Sequence, residues 1–255
     1  MAETPPTPTP PPSLEAGNAL FLDVDGTLID FADRPDRVQL LPQVRDSIAS
    51  LSQRLHGALA LVSGRPLAQL DALFAPLRLP AAGLHGHQLR STAEADQAIP
   101  ADTSAFLHRL HEAAEHMAAA LPGVLVEDKG IGLALHWRNA PQAAQQVRTF
   151  AEAQLAQMPG YRLQPGDHVV EFVPLGRDKG VAVELMMREP GFRGRVPVFV
   201  GDDLTDEFGF AAANRLGGWS VLVGARSPSA ARYALKDTAA VHAWLRRNAG
   251  SADRR

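Results

Sequence analysis

The chain contains no cysteine among its 255 residues. Disulfide bonds and thiolate metal ligands are therefore excluded, and the absence suits a reducing compartment, so we expect a cytoplasmic protein. No apolar run approaches the roughly 20 residues that span a membrane. The N-terminal residues also lack the apolar core of a signal peptide, and we expect no membrane partner.

Neither sign of charge is in clear excess, because 25 lysine and arginine residues stand against 28 aspartate and glutamate residues. This balance gives no electrostatic reason to expect nucleic acid or an anionic membrane as a partner. Hydrophobic residues make up 45% of the chain, which at this length is enough for a substantial core and two domains. We expect a soluble monomer that acts on a small molecule.

The most informative segment present joins an apolar run, residues 19–22, to the sequence Asp23-Val24-Asp25-Gly26-Thr27. A run that is apolar on both faces suits a central strand of a covered parallel sheet, and ligands gather outside the carboxyl ends of such strands. Two carboxylates so close repel each other, and Mg²⁺, which takes oxygen ligands and substrate phosphate, would offset that repulsion. A strand followed by an Asx-rich turn explains the segment equally well.

Two later strands end in the same way. Residues 196–200 lead into Gly201-Asp202-Asp203 with Asp206 shortly after, and residues 58–62 lead into Ser63-Gly64-Arg65. A serine hydroxyl and nearby backbone donors can hold phosphate oxygens, and the forked guanidinium of Arg65 fits an anion. Ser63 also fits a helix cap, because Pro66 follows it closely.

A single lysine, Lys179, opens an apolar helix after Gly176. A lysine near a helix start is ordinarily a solvated surface residue. The helix dipole mildly disfavours a cation at this position, which hints at an anionic partner.

Together these segments resemble the four motifs of the haloacid-dehalogenase-like (HAD-like) phosphatases. Five further segments resemble the trehalose-6-phosphate phosphatase family within that group: residues 83–86, 126–130, 134–138, 170–174 and 201–207. The resemblance extends from about Ala19 to Trp244. It implies Mg²⁺-dependent hydrolysis of trehalose 6-phosphate to trehalose and phosphate through an aspartyl phosphate, the final step of trehalose biosynthesis.

The resemblance also implies a role for each core residue. Asp23 would be the nucleophile, and Asp25 would act as general acid and then as general base. Asp23, Asp202 and the backbone carbonyl of Asp25 would bind Mg²⁺. The remaining roles are support by Asp203 and Asp206 behind the metal ligands, and contact with the phosphoryl group by Thr27, Ser63 and Lys179.

A long insertion, residues 88–173, separates the second motif from the third. Its pattern predicts helices over 103–121 and 141–157 and strands over 124–127, 131–137, 161–164 and 168–172, an αββαββ unit. By resemblance this unit is the cap domain that recognises the sugar. The resemblance assigns five residues to substrate binding: Arg65, His85, Glu127, Lys129 and Glu171. The alternative for the last three is a solvated cross-strand charge cluster.

Outside the insertion, strands alternate with helices over 38–55, 67–74, 181–187 and 207–216, and a further strand is predicted over 220–223. This alternation predicts an α/β fold, a doubly wound parallel-sheet core of the HAD-like Rossmannoid type with an inserted α+β cap domain. We assign residues 16–87 and 174–248 to the core. Proline-rich residues 1–15 are expected to be extended or disordered, and residues 248–255 to be loose.

Two other functions remain open. Another HAD-type sugar-phosphate phosphatase or a phosphomutase, acting on sucrose or hexose phosphates, would differ mainly in what the cap recognises. A non-catalytic sugar-phosphate-binding module would be expected to have lost Asp23, Asp25 or Lys179, and all three are present. Gln88 departs from the family pattern, which often has glutamate there, and His87 matches no part of it.

Overall fold

The computed structural model describes residues 9–30, 40–91 and 101–250, with side chains from residue 106 onward in the last range. The chain divides into two compact units, one formed by residues 1–96 and 178–255 and the other by residues 97–177. The first unit is therefore discontinuous in sequence. Within the described ranges, no helix combines the length and the apolar character needed to cross a membrane.

The first unit is built on a seven-stranded sheet. In chain order its strands are β1 (Asn18–Leu22), β2 (Leu59–Val62), β3 (Ala81–Gly83), β4 (Gln88–Arg90), β9 (Val196–Gly201), β10 (Trp219–Val223) and β11 (Tyr233–Leu235). Their spatial order is β11-β10-β9-β1-β2-β3-β4, and all neighbours are parallel except β3 and β4. The order reverses between β1 and β9, as in a doubly wound sheet.

Five described helices belong to this unit: α1 (Pro42–Arg54), α2 (Leu67–Phe74), α5 (Lys179–Met186), α6 (Asp206–Arg215) and α7 (Thr238–Ala249). Helix α1 packs against α7, and α5 packs against α6. Because helices cover the sheet, its central strands are buried on both faces. The apolar residues of β1, β2 and β9 accordingly form the middle of the core.

The second unit contains a four-stranded antiparallel sheet and two helices. In chain order these are α3 (Ala101–Ala119), β5 (Leu125–Asp128), β6 (Leu133–His136), α4 (Ala144–Leu155), β7 (Tyr161–Gly166) and β8 (Val169–Pro174). The sheet order is β5-β6-β8-β7, and the element order is the predicted αββαββ. The unit has a hydrophobic core of its own around Leu135, Val147 and Phe172.

The sequence placed the start of the insertion at residue 88, but Gln88–Arg90 belongs to the first unit. After the turn at residues 84–86 the chain reverses, and β4 pairs antiparallel with β3. The guanidinium of Arg90 then forks onto Asp71 at 2.8 and 2.7 Å and also donates to the Leu79 carbonyl. A three-residue strand carries too little periodicity to be recognised from sequence.

Residues 9–15 of the N-terminal tail contain no helix or strand, but Thr9, Pro12 and Leu14 are held against the first unit, so disorder is excluded there; residues 1–8 lie outside the described residues. The Thr9 carbonyl accepts the N–H of Ala234 at 3.1 Å, and the Pro12 carbonyl accepts Nε1–H of Trp244 at 3.1 Å. Leu14 is buried. A proline-rich segment that cannot build a core can still pack against one already formed.

The expectation of a loose C-terminal tail fails at its first residue, since Asn248 lies in α7 and is only 2% exposed. Its Oδ1 accepts the Leu14 N–H at 2.7 Å. The last residues of the tail, 251–255, and the first two of the helix predicted over 38–55 lie outside the described residues.

Candidate active site

Two neighbouring strands of the first unit end in carboxylates. Strand β1 leads into Asp23 and the adjacent β9 leads into Asp202, and the Asp23 N–H continues their pairing by donating to the Val200 carbonyl at 2.9 Å. One oxygen from each of Asp23, Asp202 and Asp206 lies within 4.8 Å of the others. The strand order thus assembles an acidic cluster from residues far apart in sequence.

Lys179 is the buried cation of this cluster. Its Nζ donates to Asp23 Oδ1 at 2.8 Å and to Asp206 Oδ1 at 2.7 Å, and the side chain is only 3% exposed. It is the first residue of α5, whose N-terminus is capped by Asp178 accepting the Val181 N–H at 2.8 Å. Two buried carboxylates thus compensate the unfavourable position of a cation at a helix start.

Asp206 is fully buried, and its carboxylate binds the backbone of the loop after β9 and the ammonium group of Lys179. Its Oδ2 accepts the N–H groups of Asp202 at 2.9 Å and Asp203 at 3.0 Å, while Oδ1 is held by Lys179. A Cβ on Gly201 would lie 2.2 Å from the Asp206 carboxyl carbon. With both oxygens already engaged, Asp206 holds the loop after β9, and Asp23 and Asp202 are better placed to bind a cation.

Asp203 forms the turn that starts α6. Its Oδ1 accepts the N–H of Thr205 at 2.8 Å, the hydroxyl of Thr205 at 2.7 Å and the N–H of Asp206 at 3.2 Å. Lys179 lies 4.0 Å away. Burial opposes ionisation of Asp203, but Lys179 and the Thr205 hydrogen bond outweigh it and lower the pKa of this carboxyl.

The electrostatics of the cluster favour a bound cation. Burial raises the pKa of Asp202 to about 7, and the charges of Asp206 and Asp203 add to the rise. Burial likewise raises the pKa of Asp23 and of Asp206 well above the ordinary range, against the opposing charge of Lys179. One lysine does not balance four carboxylates. Their oxygen-only donor set fits a hard divalent cation.

The turn after Asp25 brings the backbone against Asp202. Gly26 has φ +79°, and a Cβ there would lie 2.2 Å from Asp202 Oδ2, so only glycine fits. The neighbouring Thr27 is fully buried, and its hydroxyl donates to Asp202 Oδ1 at 3.3 Å. Contact with Asp202 therefore explains why the Asp-x-Asp-Gly-Thr segment has glycine at position 26 and threonine at position 27.

Arg65 contacts Asp25. Its Nε donates to Asp25 Oδ2 at 2.7 Å and its Nη2 to Oδ1 at 2.6 Å, a bidentate pair. The fork that the sequence assigned to a phosphate or substrate anion is therefore held by a carboxylate of the chain itself. Ser63 is fully buried, and its Oγ accepts the Arg65 N–H at 3.1 Å.

The helix cap predicted for Ser63 is supplied by Gln88 instead. Helix α2 begins after Pro66, and the first N–H of the helix, from Leu67, donates to Gln88 Oε1 at 2.8 Å. An amide oxygen accepts this hydrogen bond as a carboxylate would. Gln88, which departs from the family pattern, therefore has a structural role at the start of α2.

His85 lies in a left-handed turn, with φ 49° at Leu84, 55° at His85 and 98° at Gly86. It is only 7% exposed, and its role in substrate binding stays a prediction. A Cβ on Gly64 would lie 2.9 Å from His85 Nε2, which places the imidazole against the loop after β2. Non-glycine residues with positive φ are costly and concentrate at functional sites.

The second unit holds the other predicted cluster. Strand register places Glu127 opposite Ala134 and Ala134 opposite Glu171, so the two glutamates lie on one face. Lys129 Nζ lies 3.1 Å from Glu171 Oε1 and 3.9 Å from Glu127 Oε2. His136 Nε2 is 2.9 Å from Glu127 Oε2. Burial opposes ionisation of Glu127, but His136 and Lys129 outweigh it and lower its pKa.

A family model described as trehalose-phosphatase matches residues 21–239. The chain belongs to the trehalose-phosphatase family. It is 41% identical over 243 residues to a trehalose-6-phosphate phosphatase of Escherichia coli strain K12, a match that covers 93% of this chain and 88% of the relative. The predicted family and the predicted enzyme class, a phosphoric monoester hydrolase, are confirmed.

Solved structures support the predicted fold of this trehalose-phosphatase family member. The C-terminal domain of C. albicans trehalose-6-phosphate phosphatase superposes with TM-score 0.80 at 20% identity, covering 92% of this chain and 93% of that one. A phosphatase of the haloalkanoate (HAD) superfamily from Bacteroides thetaiotaomicron gives TM-score 0.57 at 18% identity, covering 88% and 91%. The HAD-like α/β fold is confirmed.

Two residues near these clusters were not singled out from sequence. His136 contacts Glu127, and strand periodicity could have found it, because it lies two residues from Ala134 on the same face of β6. Arg226 follows β10 and donates to the Asp203 carbonyl at 3.0 Å. Only the strand order, which places β10 beside β9, brings Arg226 to this loop.

Proposed function

We propose that this protein hydrolyses trehalose 6-phosphate to trehalose and phosphate with the help of Mg²⁺. One observation carries the proposal: a buried lysine joins Asp23 to Asp206 at the end of β1, with Asp202 in the same cluster. Such a site offers an aspartate oriented for attack together with fixed positive charge for a phosphate. Membership of the trehalose-phosphatase family supports the choice of substrate.

In the proposed reaction Asp23 attacks phosphorus and the sugar oxygen departs, which leaves an aspartyl phosphate. Asp25 protonates the departing oxygen and then takes a proton from the water that releases phosphate. Arg65 holds the Asp25 side chain through both carboxyl oxygens in this structure, and one of these contacts opens when Asp25 carries the proton that it transfers. Positioned proton transfer of this kind is worth about 10²–10⁴ in rate.

Three further side chains support the transferring phosphoryl group. Lys179 holds Asp23 in place, and its charge stabilises the negative charge that builds up in the transition state. Ser63 accepts the Arg65 N–H, which leaves its hydroxyl proton for a phosphate oxygen. Thr27 adds a second buried hydroxyl at the end of β1, which would turn from Asp202 Oδ1 to donate to a phosphate oxygen.

The acidic residues would hold the ion. Asp23 and Asp202 supply carboxylate oxygens, and the Asp25 backbone carbonyl is the third donor that the family resemblance implies. Mg²⁺ neutralises phosphate charge when bound. Asp206 and Asp203 fix the loop that carries Asp202.

In the second unit, Glu127, Lys129 and Glu171 would recognise the sugar. A disaccharide offers hydroxyl groups and no charge, so recognition needs donors and acceptors fixed on rigid elements. These three side chains lie on or beside paired strands and restrain one another through Lys129. Their mutual contacts supply such fixed groups.

Phosphate release from trehalose 6-phosphate, with and without Mg²⁺, tests the proposal. Sucrose, mannose and glucose phosphates form the comparison panel. We expect turnover that chelation abolishes and that is fastest with trehalose 6-phosphate. The Asp23→Asn variant should be folded and inactive, while Asp46→Asn, an exposed change on α1, should behave as wild type. Faster turnover of another sugar phosphate would overturn the substrate, and an active Asp23→Asn variant would overturn the nucleophile.

A further inference from the structure

Arg226 lies on the loop after β10 and contacts the backbone of the loop after β9, which carries Asp202 and Asp203. Its Nη2 donates to the Asp203 carbonyl at 3.0 Å, and its Nε points at the Asp202 carbonyl at 3.5 Å. The same Nη2 contacts Glu207 Oε1 at 2.5 Å. One guanidinium thus spans two consecutive carbonyl groups and the first turn of α6.

The opposite side of the same loop is held by Asp206. Its Oδ2 accepts the N–H groups of Asp202 and Asp203. The Asp203 N–H and the Asp202 carbonyl belong to one peptide group, so that group is restrained at both ends. Its orientation determines the direction in which the Asp202 side chain leaves the backbone.

Arg226 is itself anchored. Glu207 Oε1 accepts from Arg226, and Glu207 Oε2 accepts the Ala230 N–H at 2.8 Å. Burial opposes ionisation of Glu207, but the Ala230 N–H and Arg226 outweigh it and lower its pKa. The two side chains are 25% and 24% exposed. Arg226 therefore connects the loop after β10 to the loop after β9. An isolated surface ion pair makes no such connection and contributes little.

We infer that Arg226 is a positioning residue that preorganises the Asp202–Asp203 loop for cation binding. The inference rests on the proposed function, because it assumes that Asp202 binds Mg²⁺ during the reaction. A ligand that is already oriented loses little conformational freedom when the ion binds. Residues that hold metal ligands in this way typically change metal affinity by about 10–100-fold when they are removed.

The test compares Arg226→Ala with Arg226→Lys and with the control Arg232→Ala. Arg232 lies on the same connection and donates to the Gly218 carbonyl, away from the cluster. Calorimetric titration of the substrate-free protein gives the Kd for Mg²⁺. Kinetics give the Mg²⁺ concentration for half-maximal turnover and the KM for trehalose 6-phosphate at saturating Mg²⁺.

For Arg226→Ala we expect the Kd for Mg²⁺ to rise about tenfold, with the KM at saturating Mg²⁺ unchanged. Arg226→Lys should show a smaller rise, because its ammonium group can still reach one of these acceptors although it cannot span both carbonyls and Glu207. If Arg226→Ala folds poorly, the Kd of Arg226→Lys for Mg²⁺ tests the inference in its place. Arg232→Ala should bind Mg²⁺ as wild type does.

Two results overturn the inference. In the first, wild-type protein binds Mg²⁺ and both Arg226 variants bind it equally well, which leaves the proposed function standing. In the second, Arg232→Ala weakens binding as much as Arg226→Ala. Wild-type protein that neither binds Mg²⁺ nor requires it for turnover would overturn the proposed function, and this inference with it.

Discussion

Lys179 Nζ lies 2.7 Å from Asp206 Oδ1, and neither side chain is more than 3% exposed. Burial alone would lower the pKa of Lys179, but Asp206 and Asp23 raise it well above the ordinary value. The lysine is therefore charged. Its loss would leave two buried carboxylates without a compensating cation.

We accordingly expect Lys179→Met to abolish turnover and to destabilise the protein by about 3–5 kcal/mol at pH 8, the cost of breaking a buried ion pair. The loss should be smaller at pH 5, because Asp23 and Asp206 have raised pKa values and can take up protons in the folded variant. Urea unfolding at both pH values measures this. Lys236→Met, an exposed change in the same unit, is the control. An equal loss at both pH values would contradict the argument.

The contact between Gly26 and Asp202 predicts a position-specific effect of one methyl group. Gly26→Ala places a Cβ 2.2 Å from Asp202 Oδ2, whereas Gly57, which also has positive φ at +84°, has nothing within 4 Å. Both variants bear the left-handed backbone cost of about 1–2 kcal/mol. Only Gly26→Ala should also lose Mg²⁺ binding and turnover. Thermal unfolding, Mg²⁺ titration and phosphate release distinguish the two, and an inactive Gly57→Ala would contradict the explanation.

The raised pKa of Asp202 predicts how the stability of the metal-free protein depends on pH. The folded carboxyl titrates at about 7 and the unfolded one at 3.8. The folded state therefore binds the proton more tightly, and stability should fall as pH rises between these two values. Asp202→Asn should reduce that slope. Melting temperatures of both proteins in chelator from pH 4 to pH 8 measure this slope. Excess Mg²⁺ should raise the melting temperature of the wild-type protein again near pH 8.

What could be predicted from sequence was local or strongly patterned. Helix α2 has the predicted bounds, and the apolar runs before Asp23 and Asp202 are the predicted strands. The short strand β11 and helix α7 were not predicted. The Arg65–Asp25 pair was not predicted either, because sequence shows that a guanidinium fits an anion and leaves open which anion it meets.

The N-terminal segment illustrates the same limit. Composition predicts that residues 9–14 cannot form a core, and it cannot show that Trp244 and Asn248 lie where their polar atoms meet the Pro12 carbonyl and the Leu14 N–H.

We expect Asn248→Ala to lower the free energy of unfolding by about 1–3 kcal/mol, because it leaves the buried Leu14 N–H without its acceptor. The value of kcat should not change. Arg247→Ala, exposed on α7, is the control for urea unfolding, and equal stability of the two variants would contradict the prediction.

The cluster around Lys129 predicts a separation of sugar recognition from phosphate chemistry. Lys129→Met should raise the KM for trehalose 6-phosphate about tenfold or more, because one charged hydrogen bond is worth about 1.5–3 kcal/mol. Hydrolysis of p-nitrophenyl phosphate, which has no sugar, should be unchanged. Glu152→Gln, an exposed change on α4, should affect neither substrate. A group that contacts only sugar hydroxyls cannot affect the hydrolysis of p-nitrophenyl phosphate, because that substrate has no sugar. Equal losses on both substrates would therefore show that Lys129 supports the fold or the chemistry.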